Sequence, residues 1–176
     1  MSPKFQSILI GGLLSAVLGV FIAVAGEMSG ATEPQNAQSP LAIILNVVGC
    51  MVMLTSGLIG VWHYTSENEL TVSGGEGAQI GVLSGLTYGV GALLLSYVLV
   101  TAGILPTPEE SLQRLRDTGA FDGAEQAENI TRMMLTWGIP VFAIVGGAIL
   151  GLIGGLIGAA LFKRETDDEE IDFEEL

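Results

Sequence analysis

Charge is missing from most of this sequence. Between Lys4 and Glu27, Glu33 and His63, Glu76 and Glu109, and Arg132 and Lys163, no Asp, Glu, Lys, Arg or His occurs. Each gap exceeds the roughly 20 residues that a helix needs to cross a hydrocarbon layer about 30 Å thick. Uncharged runs of that length, in a chain whose mean hydropathy is +0.59, are foreign to a water-soluble domain. Backbone N–H and C=O groups in lipid must be satisfied within their own segment, so the runs are expected as helices, near residues 5–25, 41–62, 77–105 and 137–162. The expected fold is all-α, a polytopic bundle of four transmembrane helices over residues 1–164, followed by an acidic disordered tail over 165–176.

Histidine and cysteine are nearly absent as well. Cys50 is the only cysteine, which excludes an intramolecular disulfide, and His63 is the only histidine, which leaves no His/Cys set for a metal. Neither metal nor cofactor is therefore expected. His63 falls between Trp62 and Tyr64 at a helix end, the headgroup level where an aromatic belt sits. The missing intramembrane acid or base removes the usual element of proton- or ion-coupled transport and the usual tools of catalysis. No catalytic residue is assigned, and the chain is not expected to be an enzyme. An enzyme acting on lipid would need His63, Glu67, Glu69 and Glu76 to converge at the membrane surface.

Positive charge is the third scarcity. Six Lys and Arg stand against 19 Asp and Glu, a net charge of −13, and eight of the acids lie in 165–176. A nucleic-acid partner is opposed by this electrostatics. Lys4, Lys163 and Arg164 flank membrane ends on one side, and Arg114, Arg116 and Arg132 occupy a loop on the other. The closeness of the first set to the membrane favours cytoplasmic N- and C-termini and a multi-pass protein of the inner (plasma) membrane. Ala23-Val24-Ala25 before Gly26 has the form of a signal-peptidase site. The apolar run before it is longer than the about 7–15 residues of a signal core, so the first helix is expected to be retained.

Glycine, in contrast, is abundant, with 25 residues. The stretch GGEGAQIGVLSGLTYGVG over 74–91 opens like a phosphate loop, but no acid stands about 20 positions on and no Gly-Lys-Ser/Thr follows, so nucleotide binding is not expected. Ser73-Gly74-Gly75-Glu76 instead has the spacing of a capping box, Ser73 accepting the Glu76 amide and Glu76 reaching back to the Ser73 amide. Gly77, Gly81, Gly85 and Gly89 then repeat every fourth residue. Gly11, Ser15, Gly19 and Ala23 do so in the first span, and Gly147, Gly151, Gly155 and Ala159 in the fourth, where Gly146, Gly154 and Gly158 widen the face. Small residues at that spacing form a groove in which another backbone can lie, a glycine-zipper-like face. Helix packing is thus the role expected of Gly11, Ser15, Gly19, Gly77, Gly81, Gly85, Gly89, Gly147, Gly151 and Gly155. The occupant of each groove is another helix of the chain, a second copy, or a different membrane subunit.

The loops differ in character. Residues 26–40, rich in Gly, Ser, Pro, Asn and Gln, read as a flexible connector. Residues 107–136 form an amphipathic loop in which Pro106 ends the third helix and Thr107-Pro108-Glu109-Glu110 starts a short interfacial helix. Leu112 and Leu115 share its apolar face, and Arg114 and Arg116 point toward water or headgroups. Pro140, two residues after Gly138, is expected to kink the start of the fourth span.

Four spans, a short polar second loop with Gly75-Glu76-Gly77-Ala78 opening the third helix, a longer helical third loop and a glycine-rich fourth helix followed by Lys163-Arg164 make up an architecture. It resembles small bacterial four-helix membrane proteins classed as a domain of unknown function. That resemblance implies the architecture and no activity. The functional expectation is a non-enzymatic accessory or structural subunit in contact with the lipid bilayer, packing through its glycine faces. The alternative is a small oligomeric channel or permease.

Overall fold

The computed structural model describes residues 2–68, 71–121 and 124–162; the acidic tail over 165–176, the basic pair before it and Glu69 lie outside them. Each uncharged run is a helix long and apolar enough to cross a membrane. The four are α1 (Pro3–Met28), α2 (Pro40–Asn68), α3 (Gly74–Thr101) and the continuous stretch Glu125–Leu161, and no strand occurs among the described residues. That last stretch comprises α5 (Glu125–Met133), a π-helical turn (Met134–Gly138) and α6 (Ile139–Leu161), and the short helix α4 (Pro108–Asp117) precedes it.

Helix ends follow local chemistry more than apolar length. α3 stops at Thr101, four residues before the expected limit, because Gly103 takes the left-handed region (φ 72°). Ile104 N–H then reaches Leu99 O (2.9 Å) and Gly103 N–H reaches Val100 O (3.0 Å). This closure satisfies the last carbonyls before Pro106 is reached. At Pro140 the missing N–H is met by the wider π turn, where Ile139 N–H bonds Met134 O and the helix continues. Residues 26–40 are a built turn, with a 3-10 segment Pro34–Asn36 and Asn36 Nδ2 donating to Gly30 O (2.9 Å).

The spans alternate in direction, so one end of the bundle, the first end, gathers the start of α1, the end of α2, the start of α3 and the end of α6. The second end carries the opposite termini together with α4 and α5. α3 packs most extensively on α6, α1 packs on α2 and α3, and α2 packs on α6. Ile8, Val61, Val72 and Ile80 form a buried apolar plug near the first end. Outward faces carry Phe21, Ile44, Met51, Leu94, Val98, Phe142 and Ile149, all exposed, as a lipid-facing wall would be.

Candidate functional site

The ten residues assigned to helix packing lie inside the chain's own bundle. α3 and α6 run antiparallel with Gly77 facing Gly155, Gly81 facing Gly151, Gly85 facing Gly147 and Gly89 facing Ala143. A Cβ on Gly77 would stand 2.7 Å from Gly155 O and 2.6 Å from Ala159 Cβ, and one on Gly89 would stand 2.7 Å from Ala143 O. Separations that short admit only glycine, and they bring the two backbones close enough for dispersion and Cα–H···O contacts. In lipid such contacts stand in for the hydrophobic effect as the force between helices.

Adjacent glycines serve two neighbours at once. Gly11 meets Ser56 O and Gly60 of α2, whereas Gly12 meets Ser84 O and Thr87 of α3. Gly155 faces α3, whereas Gly154 lies against Leu54 and Leu58 of α2, and Gly158 lies against Val61. Successive residues are about 100° apart around a helix, so a Gly-Gly doublet widens a groove into two. Gly57 and Gly60, sparse in the sequence, complete these contacts by meeting Gly151 O and Ser84 Oγ. Gly19 makes room for the Tyr88 ring, whose hydroxyl would lie 2.9 Å from a Cβ there. Ser15 is fully buried, and its hydroxyl, like that of Ser84, has no hydrogen-bond partner among the described residues. Gly49 and Gly146 are different: Gly49 faces open space, and the atoms nearest an added Cβ at Gly146 belong to Phe142 of its own helix.

At the first end the expected capping box forms by half. Ser73 Oγ accepts the Glu76 amide (3.3 Å), but the Glu76 carboxylate leaves the Ser73 amide and pairs with Lys4 Nζ (3.2 Å). Lys4 also donates to Gln79 Oε1 (2.7 Å), so α1 and α3 are joined across their starts. One turn along, Ser7 Oγ lies 2.9 Å from His63 Nδ1 and 3.0 Å from Pro3 O. The hydroxyl has a single proton, shared between Pro3 O and His63 Nδ1 according to the imidazole tautomer. Among the described residues no carboxylate bonds either ring nitrogen, and Glu67 is exposed. Nor do three or more His, Cys, Asp or Glu side chains gather there as a metal site requires.

The second end is built by α4. Thr107 Oγ1 accepts the Glu110 amide (3.1 Å) and Glu110 Oε2 accepts the Thr107 amide (2.7 Å), a complete capping box. These bonds, that from the Thr107 backbone first, hold the Glu110 carboxyl below its ordinary range. Leu112 is fully buried. The arginines expected to face water or headgroups also take acidic partners. Arg116 pairs with Glu128, and Arg132 bridges Glu128 (3.5 Å) and Glu109 (3.8 Å). Arg114 Nη1 donates to Glu27 Oε1 (2.7 Å), while Thr32 Oγ1 donates to Glu27 Oε2 (2.7 Å). Opposite charges far apart in sequence carry no periodic signal, so the Arg114–Glu27 pairing was invisible before the fold; Glu128 and Arg132, four apart on one helix, were not.

Beside the Arg114–Glu27 pair opens a cavity of about 630 Å³, walled by Ala23, Ser96, Val100, Leu105 and Ile139 and rimmed by Ser111. A second, of about 360 Å³, shares Ala23, Thr32 and Ala37 with it and reaches Asn46 of α2. A third, of about 320 Å³, continues from Asn46 past Cys50 to Leu150. α2 is thus close to α1 and α6 toward the first end and spread from them toward the second, while the α3–α6 seam stays closed as far as Gly89 and Ala143.

No protein-family model matches this chain, and no curated protein and no solved structure is matched either.

Proposed function

We propose that this chain is a non-enzymatic integral membrane protein of the inner (plasma) membrane, a structural or accessory subunit with both termini in the cytoplasm and α4 in the headgroup layer. The observation that carries the reading is the closure of the α3 and α6 glycine rows on each other. With those grooves filled, the surface left to a partner is the outer wall of α2 and α6, which diverge at an apolar cavity between Asn46, Cys50, Leu54 and Leu150. Gly49, where an added Cβ would meet nothing within 4 Å, and Gly146, where the nearest atoms are those of Phe142 on its own helix, leave small depressions on α2 and α6. Shape recognition between apolar helix faces in lipid uses such depressions.

The oligomeric pore is less well supported. Its lumen would be lined by the outward faces, which carry leucine, isoleucine, valine, methionine and phenylalanine and offer an ion no replacement for its water. Affinity purification of the tagged chain from native membranes in mild detergent is the test. A second chain, or a second copy, is expected to co-purify and to be lost on Gly49→Leu or Gly146→Leu while the variant stays folded. Recovery of a lone monomer overturns the subunit reading, and conductance of vesicles holding only the purified chain favours the pore.

A further inference from the structure

We propose that the cavity at the second end binds one phospholipid with an amine-bearing zwitterionic headgroup, its phosphate held by Arg114 and Ser111 and its chains lying along Val100, Leu105 and Ile139. The inference rests on the membrane reading above, and four observations carry it. The first is position. The cavity spans the change from apolar helix (Ala23, Val100, Ile139) to charged rim (Glu27, Arg114), the depth at which a lipid changes from chain to headgroup. The second is size, since about 630 Å³ is well beyond a packing defect and within the range of ligand sites.

The third observation is an unspent donor set. Arg114 gives one N–H to Glu27, and its remaining guanidinium N–H groups meet no acceptor among the described residues. Ser111 lies three residues earlier on α4, on the same face, and its hydroxyl likewise makes no hydrogen bond among the described residues. A guanidinium beside a hydroxyl is the pairing that phosphate oxygens select. The fourth is charge balance. Glu27 is held by Thr32 and Arg114, its side chain only 17% exposed, so it fixes the guanidinium and keeps a carboxylate beside the phosphate position. A neighbouring plus and minus match a headgroup that carries both signs, whereas a purely anionic headgroup would meet Glu27 unfavourably.

The test is native mass spectrometry of the full chain released from nanodiscs containing equal parts phosphatidylethanolamine and phosphatidylglycerol. The wild type is expected to retain one phosphatidylethanolamine. Arg114→Ala lowers retention about tenfold, the ratio set by loss of one charge-assisted hydrogen bond of usual strength. Arg116→Ala removes the same charge from the same helix but from a group spent on Glu128, and leaves retention unchanged. Glu27→Gln keeps a lipid and shifts the preference toward phosphatidylglycerol. Equal loss in Arg114→Ala and Arg116→Ala, enrichment of phosphatidylglycerol by the wild type, or displacement of the lipid by chain-free glycerophosphoethanolamine each overturns the proposal. Alkaline washing of source membranes separates the two levels. A chain that washes off removes the membrane reading itself, and a chain that stays without retaining lipid removes only the inference.

Discussion

A glycine hydrogen that faces a carbonyl of another helix and one that faces open space are the same in sequence and opposite in consequence. At Gly81 an added methyl meets the Gly151 carbonyl; at Gly49 it meets nothing within 4 Å. Gly81→Ala is therefore expected to lower the unfolding free energy of the chain in micelles by about 1–3 kcal/mol, the usual cost of overpacking. Gly49→Ala is expected to raise it by up to about 1 kcal/mol, because alanine favours the helix and strains nothing. Denaturant titration of both variants against wild type checks the opposite signs; a loss in both would mean that α2 is packed where it is drawn as open. Spacing by four marked which residues face a neighbour. It did not mark which neighbour; the doublet Gly11-Gly12, serving two helices, was a signal left unused, and Gly154 beside Gly155 was read only as widening one face. Ser15 and Ser84 show the limit from the other side. Nothing in the sequence distinguishes their unpartnered hydroxyls from that of Ser56, which donates to Met53 O (2.6 Å).

For whole helices, existence was easier to read than extent. The gaps in charge located all four spans because a long helix in lipid tolerates few charges. The ends depended on details of a few atoms: Gly103 stopping α3 before Pro106, a π turn absorbing Pro140, and Lys4 drawing Glu76 away from Ser73. α4 kept the start that its sequence announced. Its cap is pH-sensitive in a defined direction. Because Glu110 is held below its ordinary range in the folded helix, the cap contributes fully above the ordinary glutamate pKa and is lost as pH falls through the lowered folded value. Amide exchange in the full chain, corrected for the intrinsic pH dependence, is expected to show the first turn of α4 losing protection toward low pH. Glu110→Gln should abolish that dependence while keeping a side-chain acceptor for the Thr107 amide. A dependence that survives in Glu110→Gln would place its origin elsewhere, in the Arg116–Glu128 and Arg132–Glu109 pairs.

As a whole, the molecule is firm at one end and, around α2, open at the other. α1 and α2 meet closely at Gly11 and Ser56, and α2 and α6 at Gly57 and Gly151 and at Leu54 and Gly154, whereas residues 42–51 of α2 border connected cavities toward the second end; the α3–α6 seam stays tight as far as Gly89 and Ala143. Stability is expected to be graded accordingly. Native-state amide exchange in micelles should show stronger protection at residues 54–61 of α2 than at 41–50. Uniform protection would show that the open end is closed in solution. The α3–α6 seam has one more property. Four small residues on each side, spaced by four, can engage at the next notch almost as well as at the observed one: Gly81 would meet Gly155, Gly85 would meet Gly151, and Gly89 would meet Gly147. That slide is about 6 Å. The seam is a rail that fixes direction and spacing without fixing position, and the stops are elsewhere, in Gly154 seated on Leu54 and in the Tyr88 ring seated on Gly19.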